Sequence, residues 1–133
     1  MPFKPFGIIP AMATPFTDSE DLDEAALRRE VRFLIAGGVH GLFANGSQGE
    51  AYALTPSERQ RVLEIVLEEA AGKVPVYAGT GAIGTRETIA LTQMAEQVGV
   101  AAVSVVTPFF ISPSPDELYE HYAAVARCTR LPI

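Results

Sequence analysis

The stretch from Gly41 to Glu50, which reads GLFANGSQGE, joins a short apolar run to a polar loop flanked by glycines. A strong helix start follows it, with Thr55, Pro56 and Glu58 at the first positions. Glycine permits both a tight turn and a close approach of the backbone to a ligand. Successive N–H groups exposed in such a turn form a concavity that suits an anion. The stretch therefore predicts a pocket floor for a carboxylate or a phosphate.

Composition places the chain among ordinary globular proteins. Its 133 residues are enough for one domain with a core, and 48% hydrophobic with 20% charged residues is far from the disordered range. The net charge of −6 argues against nucleic-acid and membrane partners, which bind clustered lysine and arginine. Its single cysteine, Cys128, cannot form an internal disulfide, and no apolar run approaches the length of a membrane span. We therefore expect a soluble, cytoplasmic protein.

Short apolar runs alternate with amphipathic helical patterns along the chain. The runs predict strands at residues 7–13, 41–44, 74–78 and 100–106, and the start of a fifth at 130–133. Helices are predicted over residues 21–36, after Thr55, after Gly84 or Thr85, and after Ser114. This alternation indicates parallel strands with right-handed crossovers, either in a doubly wound sheet or in half of a (β/α)8 barrel.

Both architectures place ligands at the carboxyl ends of the strands. The candidate functional segments therefore directly follow strands: Thr14-Pro15 and residues 45–50, 79–81 and 107–110. The two lysines, Lys4 and Lys73, precede strands and are expected at the opposite end. If the chemistry needs a Schiff-base amine desolvated inside the site, neither lysine supplies it.

A possible dinucleotide fingerprint, G-x-G-x-x-G, occurs at residues 79–84. That fingerprint also requires an acidic residue at the end of the next strand, and residues 105–108 contain none. We interpret the segment as a tight turn that lines a pocket, with a nucleotide-dependent enzyme as the alternative.

Metal and acid–base chemistry have few candidates. His40 and His121 are isolated, without carboxylates at ligand spacing, so structural or solvent-facing roles and no metal site are expected. A metal-dependent aldolase is correspondingly disfavoured. Cys128 is expected to be a small buried hydrophobe.

Ser47 is a candidate relay or ligand hydroxyl. No histidine is placed to act as its base, and the G-x-S-x-G spacing of a hydrolase is absent. Glu50 is a possible general base, although we expect backbone N–H groups to hold its carboxylate and shape the loop. Phe109 and Phe110 are expected to form an apolar wall.

Four motifs in order carry a family resemblance: IPAMATPF at residues 9–16, GSQGE at 46–50, VYAGTG at 76–81 and VVTPFF at 105–110. The chain resembles the dihydrodipicolinate synthase / N-acetylneuraminate lyase family of Schiff-base lyases and aldolases along essentially its whole length. The resemblance implies a (β/α)8 TIM barrel. Residues 1–133 would be the amino-terminal part of this single domain, with four βα units and the start of the fifth strand.

The resemblance also implies a mechanism. A lysine on the sixth strand of this family forms an imine with pyruvate or another 2-oxo acid, and the protein is a homotetramer or dimer without a cofactor or metal. Ser47 matches the hydroxyl that relays protons to a fifth-strand tyrosine. Ser47 and Gln48, with the backbone of Gly46 and Gly49, match the pocket for the 2-oxo acid carboxylate. The tyrosine and the lysine would lie beyond Ile133, so we expect the native protein to continue.

Two positions depart from the family pattern. Gln48 stands where threonine is common, and Phe110 stands beside the substrate where dihydrodipicolinate synthases place a tyrosine that reaches across the dimer interface. Because phenylalanine cannot pass a proton, Phe110 favours another branch, such as a sugar-acid aldolase, a dehydratase or a decarboxylating enzyme. A half barrel that binds a 2-oxo acid without chemistry is the remaining alternative.

Overall fold

The computed structural model describes residues 4–133. In this part of the chain three strands alternate with four helices and one 3-10 turn. In chain order they are α1 (Glu24–Ala36), β1 (Leu42–Ala44), the 3-10 turn Ala51–Ala53, α2 (Pro56–Ala70), β2 (Val76–Gly79), α3 (Thr85–Val98), β3 (Ala102–Ser104) and α4 (Pro115–Arg127). The alternation predicted from the sequence is therefore confirmed.

The three strands form a parallel sheet in the order β1-β2-β3. Leu42 pairs with Val76, and Tyr77 pairs with Ala102, so the carboxyl ends of all three strands meet at one edge. Alternate strand residues pack against the helices in one hydrophobic core, whose members include Leu42, Ala44, Val76, Ala78, Val62, Ile65, Val66, Leu27 and Val31. This packing fixes the carboxyl-terminal edge of the sheet and the loops that follow the strands there.

The segment at residues 7–13 lies beside β1 but is not a regular strand. Ala11 forms an isolated parallel bridge with Phe43, where Phe43 N donates to Pro10 O at 3.0 Å and Met12 N donates to Phe43 O at 2.9 Å. The strand predicted here is wrong in its extent. Pro10 has no N–H to donate, and Gly7 has a φ of 73°, which interrupts the extended backbone.

Residues 130–133 also form no strand, contrary to prediction. They lie along β3, where Val103 N donates to Pro132 O at 3.0 Å. Pro132 contributes an acceptor but has no N–H to extend a ladder. The fourth predicted strand is likewise shorter than expected, because regular pairing covers only Ala102–Ser104.

The helices begin at the predicted capping residues. Thr55 and Ser114 each form a complete capping box with the glutamate three positions later, and proline follows each cap. Asp23, one of two predicted caps, accepts a hydrogen bond from Ala26 N at 2.8 Å and begins α1. No helix within residues 4–133 is both long and apolar enough to cross a membrane.

Candidate functional site

A cavity of about 330 Å³ opens at the carboxyl ends of the three strands. Its wall contains the residues that end or follow each strand, among them Asn45, Gly46, Ser47, Gly79, Ser104 and Phe109. Ligands bind at this end of parallel sheets in barrels and in doubly wound folds. The cavity is therefore the candidate active site.

The loop at residues 46–50 folds back on itself at the mouth of this cavity. Gly49 N and Ala51 N both donate to Gly46 O, at 3.1 and 3.4 Å, and Glu50 N donates to Ser47 O at 3.1 Å. The N–H groups of Ser47 and Gln48 make no hydrogen bond within the described part of the chain. Two successive free N–H groups in a turn are a suitable arrangement for an anion.

Close backbone contacts explain the glycines that frame this loop. A Cβ at Gly46 would lie 2.8 Å from the ring of Phe43, and a Cβ at Gly79 would overlap the carbonyl oxygen of Asn45. Asn45 itself has a left-handed φ of 57°, which turns the chain out of β1. Only residues without side chains at positions 46 and 79 allow the loop to lie this close to the sheet.

Thr14, which precedes α1, is hydrogen-bonded to the loop at residues 46–50. Thr14 Oγ1 donates to Gly49 O at 2.7 Å, and a Cβ on the buried Gly49 would lie 3.0 Å from that hydroxyl oxygen. Thr14 belongs to one of the segments that the sequence predicted to contribute to the site. Its observed role is to support the loop.

The residues predicted to bind substrate occupy different positions. Gly46 and Ser47 line the cavity, and the side chain of Ser47 is exposed. Gln48 is exposed on the loop and Gly49 is buried below it, both outside the cavity lining. Phe110 is 94% exposed and also lies outside the lining, whereas its neighbour Phe109 forms part of the wall.

Glu50 shapes the loop through its backbone. Its φ is 49°, and its carbonyl oxygen accepts a hydrogen bond from Ala53 N at 2.8 Å. The carboxylate is exposed and accepts no hydrogen bond among residues 4–133. The expectation that backbone N–H groups hold this carboxylate is therefore wrong. The N–H groups of Gly49, Glu50 and Ala51 bond to carbonyl oxygens within the turn, and those of Ser47 and Gln48 do not bond to the carboxylate.

Arg59 and Asn45 also line the cavity. Asn45 belongs to the candidate segment at residues 45–50, whereas the sequence interpretation missed Arg59. Arg59 and Asn45 are 6% and 3% exposed, and Asn45 Nδ2 donates to Arg59 O at 2.9 Å. Burial lowers the pKa of the Arg59 guanidinium, and the negative charge of Glu87 acts in the opposite direction. One signal could have revealed Arg59, because it occupies a position of the buried stripe of α2, three and seven residues before Val62 and Val66.

Two N–H groups of the glycine-rich segment at residues 79–84 are hydrogen-bonded inside the fold. Thr80 N donates to Ser104 O at 3.1 Å, and Ala82 N donates to Thr88 Oγ1 at 3.2 Å. Thr92 Oγ1 donates to Thr80 Oγ1 at 2.9 Å. A phosphate cradle needs such N–H groups free, so the geometry supports the interpretation of this segment as a tight turn beside the pocket.

The histidines have structural contacts outside the cavity. His40 Nδ1 accepts a hydrogen bond from Ile8 N at 3.0 Å, and the ring meets the edge of Phe6. His121 is buried in α4, with its Nδ1 2.9 Å from Thr85 Oγ1. Among the residues that the structure describes, no three or more His, Cys, Asp or Glu side chains could together hold a metal ion.

The lysines and the cysteine also lie outside the cavity lining. Lys4 and Lys73 are exposed, and Lys73 comes just before β2, at the end of the sheet opposite the cavity. Cys128 is half-buried where α4 ends, so it is less enclosed than expected. Burial, followed by the charge of Glu96, raises the pKa of its thiol.

The model of the dihydrodipicolinate synthetase family matches residues 4–133. The chain belongs to this family. The family's solved structures are TIM-barrel enzymes, and the chain has the fold of their amino-terminal half, which confirms the predicted fold class.

Individual members of the dihydrodipicolinate synthetase family are similar over nearly all of the chain. It is 42% identical to the 4-hydroxy-tetrahydrodipicolinate synthase of Methanopyrus kandleri, across 100% of the chain and 45% of that relative. It is 47% identical to the N-acetylneuraminate lyase of Citrobacter koseri, across 90% of the chain and 40% of that relative. A dihydrodipicolinate synthase of Acinetobacter baumannii in complex with pyruvate superposes with a TM-score of 0.92 at 36% identity, across 95% of this chain and 43% of that one. The chain thus spans less than half the length of these relatives.

Proposed function

We propose that the complete protein is a lyase or aldolase that acts on pyruvate or another 2-oxo acid through a Schiff base. Residues 4–133 would contribute the carboxylate-binding loop and a relay hydroxyl to a single TIM-barrel domain. The loop at the cavity mouth carries this proposal, because Ser47 and Gln48 keep their N–H groups free within the described residues. A hydrogen bond to a charged acceptor is about twice as strong as a neutral one. The pyruvate complex of the Acinetobacter relative supports the ligand class.

The chemistry divides between this half and the remainder of the barrel. A lysine amine attacks the carbonyl carbon of the 2-oxo acid, water leaves, and the resulting imine withdraws electrons from the adjacent carbon, where a bond can then form or break. Lys4 and Lys73 are exposed and do not line the cavity, so neither is placed to supply this amine. The amine would therefore come from the portion of the barrel that this chain does not span. The Ser47 hydroxyl, exposed at the cavity, would pass protons during imine formation.

Phe110 favours a branch of the family other than the dihydrodipicolinate synthases. Its ring is 94% exposed, and a left-handed φ of 76° sets the backbone that carries it. The neighbouring Ile111 is also exposed, and contiguous exposed apolar groups are typical of protein interfaces. We infer that this surface meets another copy of the chain in a dimer or tetramer. A ring without a hydroxyl there suits a sugar-acid aldolase, dehydratase or decarboxylating enzyme.

Reductive trapping tests the proposed function. The complete protein is incubated with pyruvate and sodium borohydride, and its intact mass and peptides are measured. We expect one stable pyruvate adduct on a lysine other than Lys4 and Lys73. Pyruvate binding without an adduct would instead support the non-catalytic alternative, and an adduct at Lys73 would contradict the location of the site.

A further inference from the structure

Arg59 places a buried positive charge in the wall of the cavity that contains Ser47. Its side chain belongs to the first turns of α2 and is 6% exposed. An arginine remains protonated far above neutral pH even when burial opposes its charge. The ion pairs found among residues 4–133 involve other arginines. Glu87 acts on Arg59 through its charge, but no carboxylate in this part of the chain lies within ion-pair distance of the guanidinium.

The Nη1 atom of this arginine has no hydrogen-bond acceptor among residues 4–133. It is buried and makes no hydrogen bond within the described residues. A buried charge without a partner is costly, and one with a well-placed counterion is much less so. The cavity side of Arg59 is therefore suited to an anionic group, and a carboxylate matches the planar fork of the guanidinium.

Asn45 provides a second, independent observation in the same wall. Its Nδ2 donates to Arg59 O at 2.9 Å, which fixes the orientation of the amide. Its Oδ1 is buried and accepts no hydrogen bond in this part of the chain. Two residues that line one cavity thus each have a buried polar atom, one a cationic donor and one a neutral acceptor, that makes no hydrogen bond within residues 4–133. Buried polar groups in folded proteins are usually satisfied, so their joint lack of partners indicates a ligand position.

We propose that Arg59 binds a second carboxylate of the substrate, and that the substrate class is 2-oxo acids with a distal carboxylate. The inference deepens the proposed function and rests on it, because the loop at residues 46–49 would hold the first carboxylate. The cavity of about 330 Å³ falls within the range of small-molecule sites, roughly 300 to 1,000 Å³. A hydroxyl on the same substrate would meet Asn45 Oδ1.

Matched pairs of ligands test this inference on the complete protein. Calorimetry compares 2-oxoglutarate with 2-oxopentanoate, and 2-oxoadipate with 2-oxohexanoate, in which a methyl group replaces the distal carboxylate. We expect the diacid of at least one pair to bind roughly tenfold or more tightly, as for a hydrogen bond between charged groups. Arg59→Gln should abolish that preference, and Arg29→Gln, which removes an exposed charge elsewhere, should retain it.

The outcomes separate this inference from the proposed function. Equal affinities within both pairs, or a preference that survives in Arg59→Gln, would overturn the role of Arg59 even if pyruvate still forms a trapped adduct. If Arg59→Gln does not fold, Arg59→Lys decides the matter, because an ammonium cannot hold two carboxylate oxygens in the same way. An undiminished preference in Arg59→Lys would then contradict the inference.

Discussion

At the scale of single residues, Ser47 is the side chain with the most direct part in the proposed chemistry. It is exposed, and its hydroxyl makes no hydrogen bond within the described chain, so its removal should leave the fold intact. We expect Ser47→Ala to lower kcat of the complete enzyme about 10²- to 10⁴-fold, the usual contribution of a positioned acid or base. Steady-state kinetics and thermal unfolding measure both effects, with Ser112→Ala as control because Ser112 is exposed and makes no hydrogen bond among the described residues. An unchanged kcat would show that the Ser47 hydroxyl does not take part in proton transfer.

Gly79 controls the position of the loop from the neighbouring strand. Because a side chain there would overlap the carbonyl oxygen of Asn45, Gly79→Ala must displace the backbone that leads into the site. We expect a loss of about 1–3 kcal/mol in the free energy of unfolding, as for other overpacked positions, together with weaker pyruvate binding. Gly84→Ala, where no atom lies within 4 Å of the added Cβ, controls for the substitution itself. Equal effects at both positions would show that the contact with Asn45 is unimportant.

The carboxylate of Glu30 should make the free energy of unfolding depend on pH. Its half-buried carboxylate accepts a hydrogen bond from Ala13 N at 2.9 Å, and desolvation raises its pKa more than this hydrogen bond lowers it. Ionisation therefore costs more in the folded state than in the unfolded state, so stability falls as the pH rises through the folded-state pKa.

A neutral side chain at position 30 should remove this cost. We expect Glu30→Gln to raise Tm at pH 7, and the gain to disappear below about pH 4, where glutamate is protonated in both states. Thermal unfolding across pH measures the difference, with the exposed Glu120→Gln as a control for the loss of one charge. A gain that is independent of pH would refute this account.

At the scale of secondary-structure elements, the capping box of α2 sets the end of the loop. Thr55 N donates to Glu58 Oε2 at 2.7 Å, and Glu58 N donates to Thr55 Oγ1 at 3.3 Å. The hydrogen bonds from Thr55 lower the pKa of Glu58, so this contribution is present at neutral pH and is lost as the pH falls through the folded-state pKa.

Removal of that cap should destabilise the protein without unfolding it. We expect Thr55→Ala to lower the free energy of unfolding by about 0.5–2 kcal/mol, and Ser114→Ala, the equivalent change on α4, to cost a similar amount. Denaturant titration measures both, with Ser112→Ala as control because Ser112 is exposed and makes no hydrogen bond among the described residues. A neutral effect at Thr55 would mean that packing alone fixes the start of α2.

The helices were predictable from the sequence because their signals are local. Thr55 and Ser114 lie within four residues of the groups they cap, so the sequence pattern contains the whole interaction. Strand limits depend on distant partners instead. Pro10 and Pro132 are local signals that shorten the pairing of residues 7–13 and 130–133, but its full extent depends on the partners β1 and β3.

At the scale of the whole molecule, the family and the position of the cavity were predictable from the sequence, but the polar wall of the cavity was not. Parallel strands bring their carboxyl ends together, so the loop at residues 46–50 could be placed from topology alone. Arg59 carries a charge on an apolar stripe, where the pattern predicts a core residue. Its proposed role depends on the cavity that β1, α2 and the loop form together, and local sequence does not contain that information.

We propose that this half of the barrel holds the carboxylate of a 2-oxo acid. A crystal structure of the complete protein after borohydride reduction in pyruvate tests it most directly. We predict a carboxylate oxygen of the trapped adduct within about 2.7–3.2 Å of the Ser47 hydroxyl or of the N–H groups of Ser47 and Gln48. A carboxylate bound elsewhere in the barrel, with the loop at residues 46–50 free of ligand, would contradict the account.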